Sequence, residues 1–267
     1  MRSQYNRSDL DRALAELPIA EGDVLFLHSN IGFFGRMEGA GSMDDICAAF
    51  VEALFERLGP GGTLVVPVFT YSFSRGEVFD PEGSASAMGA FSEWIRRHPD
   101  AKRSLDPSYS VAALGARAQE LTQNAPENSF GPGSFFARFD QLEGAICNLN
   151  FDAGSTYLHY LERQRQVPYR FDKSFEGTIR EAGIERAAQS TIYVRYLSDD
   201  LTAAAFEPFH RVALERGDFQ TQALGRGQIG VIRTTACRQL LDAVLPERPW
   251  LLTRADGAGI APVLTPE

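Results

Sequence analysis

The apolar residues change period repeatedly along the chain, and each change marks an element. Ser8–Leu17 reads as a short capped helix stopped by Pro18. Val24–His28 is a continuous apolar run suited to a strand buried on both faces. A glycine-rich loop follows, with Gly32, Gly35, Gly39 and Gly41. Ser42 then caps a helix whose Ile46, Phe50, Ala53, Leu54 and Leu58 keep a helical period until Gly59-Pro60. Asp44 and Asp45 in its first turn suit the helix dipole. Thr63–Phe69 is a second buried strand, so strand, helix and strand are in place within the first 70 residues.

Farther on, the pattern predicts a helix over Met88–Arg97, a strand over Ser110–Leu114 and a helix over Ala116–Thr122. A helix capped by Ser134 runs through Phe139 and Leu142, followed by a strand at Ala145–Leu149 and a helix at Ser155–Arg165. Thr191–Leu197 alternates like a strand with one wet face, and Leu201–Arg216 is helical with a kink expected at Pro208. Gln228–Arg233 reads as a strand and Thr234–Leu245 as a final helix. This alternation predicts an α/β fold, a mixed central sheet flanked by helices. No linker or repeat divides it. The expectation is one domain over residues 1–267, with about 176–267 a candidate subdomain.

Composition narrows the function classes. With 44% apolar and 23% charged residues the chain is ordinary for a globular protein. The formal charge of −9 disfavours a nucleic-acid backbone as partner. The polar N-terminus and the lack of a long apolar run predict no secretory signal, no membrane insertion and a cytoplasmic location. Cys47, Cys147 and Cys237 have no paired spacing, which excludes a C-x-x-C site, and Cys147 reads as a buried thiol rather than a nucleophile. No H-E-x-x-H cluster or G-x-S-x-G elbow occurs, so neither a metal site nor a serine hydrolase is expected.

Two places can carry chemistry, because ligands of open α/β sheets bind beyond the carboxyl ends of strands. One is His28-Ser29-Asn30, running into Gly32 and Gly35. Its backbone N–H groups can hold a phosphate or polarise a carbonyl; alternatively the glycines only turn the chain and His28 is a hydrogen-bonded strand residue. The other is Asn150–Glu162, where His159 and Glu162 stand at i, i+3 just after Asp152. An imidazole oriented by a carboxylate can take a proton at neutral pH. Equally, His159 can be a packed interface residue and Glu162 a partner of Arg165 or Gln166. His98, at a helix end, and His210, on an amphipathic helix, read as structural.

These residues resemble a known family. Gly22–Ser29 with Gly35, Leu58–Pro67, Phe69-Thr70, Phe79-Asp80-Pro81 and Met88–Phe91 are similar, in order, to motifs of the aminoglycoside 3-N-acetyltransferases. So are Arg97-His98-Pro99, Arg103-Ser104, Phe130–Ser134 and Leu158–Glu162, and the likeness covers roughly residues 8–175. The resemblance implies that family's α/β fold, distinct from GNAT enzymes, with acetyl-CoA as acyl donor and no metal. It implies His159 as general base with Glu162 beside it, and His28, Ser29, Asn30, Gly32 and Gly35 along CoA.

The family's usual histidine two residues after Arg-Ser is here Asp106, in Arg103-Ser104-Leu105-Asp106-Pro107-Ser108-Tyr109. Asp106, Tyr109 and Asp152 are therefore expected at the acceptor, or Asp106 is only a turn-former before Pro107. The run Asn148–Ser155 is similar to relatives linked with surface-polysaccharide synthesis. The implied acceptor is a small amino sugar or nucleotide-linked amino sugar, with room for a homodimer. Two alternatives remain: a resistance enzyme acetylating aminoglycosides, and a silent CoA- or sugar-binding homologue.

Overall fold

The computed structural model describes residues 4–265. In chain order, β1 is Gln4–Tyr5, α1 Arg7–Ala15, β2 Val24–Ser29, β3 Arg36–Met37, α2 Met43–Leu58 and β4 Thr63–Pro67. Then come α3 Ala90–Arg96, β5 Lys102–Arg103, β6 Val111–Gly115, α4 Ala118–Thr122, α5 Phe135–Gln141, β7 Ala145–Leu149 and α6 Tyr157–Gln164. The rest is β8 Arg170–Glu181, β9 Ile184–Arg195, α7 Glu207–Glu215, β10 Gln220–Leu224, β11 Gly227–Arg233, α8 Thr234–Val244 and α9 Arg254–Ala258.

Seven strands form one mixed sheet in the order β10-β11-β7-β2-β4-β6-β5. β2 is parallel to both β7 and β4, and the other pairs are antiparallel. The central strands are apolar throughout because both faces are covered. One face, with Phe26, Val65 and Ile146, packs on the phenylalanines of α5, on α6 and on α8. The other, with Leu25, Leu27 and Cys147, packs on α1, α2 and α3. β10 and β11, from the last quarter of the chain, belong to this same sheet.

The caps explain where the helices start. Ser42 Oγ accepts from Asp45 N, and Asp45 returns a bond to Ser42 N at 2.9 Å, a reciprocal capping box. Ser134 caps α5 as expected. α1 differs: its cap is Asn6, boxed with Asp9, so it starts one residue before Ser8 and ends two residues before Leu17. α7 corrects a larger expectation. Leu201–Arg216 is not one helix; Asp199 caps a single 3-10 turn at Asp200–Thr202, and Ala203 is extended. α7 begins only at Glu207, which puts Pro208 in its first turn, where a missing N–H costs nothing and bends nothing.

The other departure is the β8–β9 hairpin, twelve residues per strand, of which only Thr191 onward was legible as a strand. Its turn residues Ala182 and Gly183 both have positive φ, +49° and +80°, the geometry that matches strand twist. The hairpin lies on the Phe73–Phe79 segment and leads, at its first residue, into the candidate site.

Candidate active site

β2 and β7 run side by side, so His28 pairs with Asn148 and Ser29 with Leu149 in register. The chain then turns out of β7 at Asn150, which has φ +64°. Asn150 ties three strand ends together: its Nδ2 donates to Asn30 O at 2.9 Å and its Oδ1 accepts from Gln228 N at 3.0 Å. Asn148, fully buried, donates from Nδ2 to the carbonyls of Asp152 and Gly154. His28 Nε2 lies 2.8 Å from Ser155 Oγ, the last residue but one before α6. The loop that delivers α6 is thus held by side chains from two strands.

On α6, His159 Nδ1 lies 2.5 Å from Glu162 Oε2. The i, i+3 spacing brings the two together, while the partners expected for a surface Glu162, Arg165 and Gln166, lie elsewhere: Arg165 pairs with Asp242 at 2.5 Å. Glu162 is wholly buried, and three groups stabilise its charge. Arg170 Nε is 2.8 Å from Oε2, Tyr169 OH donates to Oε1 at 2.9 Å, and His159 takes the remaining direction. Burial alone would raise this carboxyl; Arg170 and its other partners outweigh that and leave it below its ordinary range.

A carboxylate can only accept, so the His159 proton resides on Nδ1 and the Nε2 lone pair is left free. Burial, and then the positive charge of Arg170, lower the His159 pKa against the opposing pull of Glu162. The ring is therefore neutral at pH 7. It is not sealed: 14% of the side chain is exposed. Phe206 at 5.7 Å and Phe130 at 6.3 Å flank it, and Phe130 packs on Tyr109 at 4.9 Å. Tyr109 in turn meets Tyr71 at 5.4 Å, a residue strained at φ +55° where the chain leaves β4.

The remaining candidates separate. His28 is a hydrogen-bonded wall residue, its pKa pushed down by burial to about 4. Ser29 Oγ is buried with no hydrogen-bond partner. Asn30, Ile31 and Gly32 enter a 3-10 turn at Ile31–Phe34, ended by Gly35 at φ +106°. Gly35 needs its left-handed backbone, whereas a Cβ at Gly32 would meet open space. Asp106 is buried, with Oδ1 accepting from Ser108 N and Tyr109 N at 2.9 Å each. It builds the turn before β6, so the turn-former reading accounts for it, and it carries no independent argument about an acceptor. Asp152 Oδ1 accepts from Gly154 N at 2.8 Å.

Asp152 also lines a cleft of about 590 Å³ with His210, Phe33, Phe151 and Arg226; His159 is not among its lining residues. Phe206 packs on the His159 ring, and a Cβ at Gly154 would lie 2.4 Å from the Phe206 ring. His210 is more than helix packing, because its Nδ1 accepts from Ala153 N at 3.2 Å. His98 accepts from Asp100 N at a helix end. Cys147 is buried and its thiol is pushed up to about 12. Among the described residues no group of three or more His, Cys, Asp or Glu can hold a metal ion, and no helix is long and apolar enough to cross a membrane.

Sequence reasoning missed Tyr169, Arg170, Asn148 and Ser155. Only a buried Arg between aromatics, in Tyr169-Arg170-Phe171, could have pointed to the first two.

The sequence profile described as Aminoglycoside 3-N-acetyltransferase matches residues 26–246. Aminoglycoside N(3)-acetyltransferase IV of Salmonella sp is 33% identical over 174 residues, which cover 63% of this chain and 63% of that relative. Aminoglycoside N(3)-acetyltransferase IX of Micromonospora chalcea is 26% identical over 255 residues, 84% and 85% of the two chains. Among solved structures, a histidine-to-alanine mutant of the aminoglycoside acetyltransferase AAC(3)-IVa, in complex with a gentamicin, superposes with TM-score 0.77 at 25% identity, over 98% of this chain and 96% of that one. A binary complex of AAC-IIIb with CoASH gives TM-score 0.76 at 23% identity, covering 92% and 98%, a likeness of fold.

Proposed function

The chain belongs to the aminoglycoside 3-N-acetyltransferase family, and from that premise we propose that it moves an acetyl group from acetyl-CoA to a free amine of an amino sugar. The observation that carries this reading is the buried His159–Glu162–Arg170 array, which leaves one neutral imidazole nitrogen free beside partly exposed space. Named relatives are N(3)-acetyltransferases, and one solved neighbour holds CoASH, another a gentamicin.

The acceptor enters as an ammonium and gives its first proton to solvent before its nitrogen attacks the thioester carbonyl. As the C–N bond forms, the second proton passes to His159 Nε2, and the tetrahedral oxyanion is met by backbone N–H groups of the turn that starts at Ile31. The C–S bond then breaks, and the thiolate takes the proton back from the imidazolium. The loop His28–Gly35 lies along the donor, with the unpartnered Ser29 hydroxyl within it. Glu162 keeps Nδ1 protonated and steadies the cation that forms; a base so placed contributes about 10²–10⁴-fold. The intact array supports an active enzyme over a silent homologue. The turn role of Asp106 leaves drug and biosynthetic amino sugars equally open as acceptors.

The test is thiol release from acetyl-CoA by the purified protein over a panel holding gentamicin, kanamycin and nucleotide-linked amino sugars. Turnover with one class identifies the acceptor, and H159A should lower kcat about 10²–10⁴-fold. Near-full turnover by H159A, or no release with any amino sugar, refutes the reading.

A further inference from the structure

Two phenylalanines flank the His159 ring, and their surroundings differ. Phe130, 6.3 Å away, is wholly buried and stacks on Phe136 at 5.0 Å, so it belongs to the core. Phe206, 5.7 Å away, is only half-buried. The two also stand on different sides of the base. Phe130 continues into Tyr109 and Tyr71. Phe206 sits instead on Gly154, in the turn that follows β7. That turn is tied to the His28–Gly35 loop along the donor: Asn150 Nδ2 donates to Asn30 O at 2.9 Å, and His28 Nε2 lies 2.8 Å from Ser155 Oγ. Phe206 is therefore the donor-side neighbour of the base.

The ring has little freedom to yield. Gly154 approaches so closely that a Cβ there would fall 2.4 Å from Phe206 Cδ2 and 2.8 Å from Phe206 Cβ. Gly154 itself is fixed: its N–H donates to Asp152 Oδ1 at 2.8 Å, and its carbonyl accepts from Asn148 Nδ2 at 3.0 Å. The backbone is held on either side of the ring as well. Ala205 N donates to Leu252 O at 3.0 Å, and Phe206 O accepts from His210 N at 2.8 Å. Groups packed and tethered in this way resist even one added methylene.

We propose that Phe206 sets the size of the acyl group, its ring closing the space beyond the thioester carbonyl so that acetyl fits and longer chains do not. The proposal rests on the acyl-transfer reading, in which the carbonyl meets an amine held at His159 Nε2. The carbon that follows the carbonyl has to lie against a wall beside the base, and on the donor side that wall is Phe206.

Acetyl-, propionyl- and butyryl-CoA, compared on wild type, F206A and F206L, test it in two ways. With an amino-sugar acceptor, the butyryl-to-acetyl ratio of kcat/KM should rise about tenfold or more in F206A and less in F206L, since one methylene in an apolar site is worth about 10–200-fold. Without acceptor, calorimetry should show butyryl-CoA binding to wild type more weakly than acetyl-CoA, and that difference closing in F206A. A ratio cancels any general loss of active protein, and F206L, which keeps an apolar side chain on Gly154, serves if F206A does not fold. Equal use and equal binding of the three thioesters by wild type overturns the proposal, as does binding of none. So does an unchanged ratio in a folded Phe206 variant, or a change confined to the KM of the acceptor. No turnover by wild type with any thioester, with the calorimetric difference intact, refutes acyl transfer while the size limit stands, so the two failures are seen separately.

Discussion

Arg170 Nε lies 2.8 Å from Glu162 Oε2, the same oxygen that faces His159 Nδ1 at 2.5 Å. One carboxylate oxygen therefore mediates between a fixed cation and a titratable ring. The charge of Arg170 does two opposite things: it keeps Glu162 ionised, and it discourages a second cation on His159.

The first consequence is a pH profile. Because the His159 pKa is lowered from its ordinary value of about 6.5 by burial and by Arg170, the imidazole limb of the kcat/KM profile should lie on the acid side of that value, separate from the limb at higher pH that belongs to the acceptor ammonium and moves with the acceptor. An inflection above pH 7 that stays in place when the acceptor is changed contradicts the arrangement.

R170Q relaxes both shifts, so the acid limb should move to higher pH, while R170K, which keeps the charge, should move it less. Breaking a buried pair costs about 3–5 kcal/mol, so thermal melting accompanies the kinetics. An acid limb that stays in place in a folded R170Q would show that Arg170 does not tune the ring.

Y169F removes the O–H that donates to Glu162 Oε1 at 2.9 Å. A hydrogen bond to a charged group is worth about 1.5–3 kcal/mol, so denaturant unfolding should show a loss of that order. Since Tyr169 acts through Glu162, kcat should fall with KM nearly constant. A rise in KM alone would argue for contact with substrate instead.

His28 gives a stability signature. Burial holds its folded pKa near 4, whereas the unfolded chain takes up the proton near 6.5. The folded state thus loses stability as pH falls from about 6.5 to 4, by about 3 kcal/mol. Compared with H28Q, wild type should show the steeper decline across that window. Parallel curves would mean that the ring titrates normally.

G225A tests the tight turn between β10 and β11 without touching His159. With φ +55° and a carbonyl oxygen 2.2 Å from the added Cβ, it should lower the melting temperature, by several degrees for a loss of about 1–3 kcal/mol. Unchanged melting would mean that the turn at Gly225 yields easily.

What could be read from the sequence follows from how local the signals are. α2 was legible because Ser42, the apolar period and Gly59 all lie within the helix and its caps. β7 and α6 are legible because a short apolar strand is followed by an amphipathic helical period. The hairpin β8–β9 was largely hidden: Asp172, Lys173, Glu176 and Arg180 break any apolar run, and its support comes from Phe73 and Phe79 far away in sequence. The site divides the same way. His159 and Glu162 meet by helix geometry, whereas Arg170 and Tyr169 reach Glu162 only after the chain leaves α6 and enters another element. The role of His210 is invisible along the chain because its contact, Ala153 N, is 57 residues away.

The hold of two successive elements on Glu162 has an energetic meaning. A ring whose tautomer and tilt are settled in the empty protein needs no reorganisation when ligands arrive. Binding free energy then goes into bringing nitrogen and carbonyl together, not into turning the imidazole toward them.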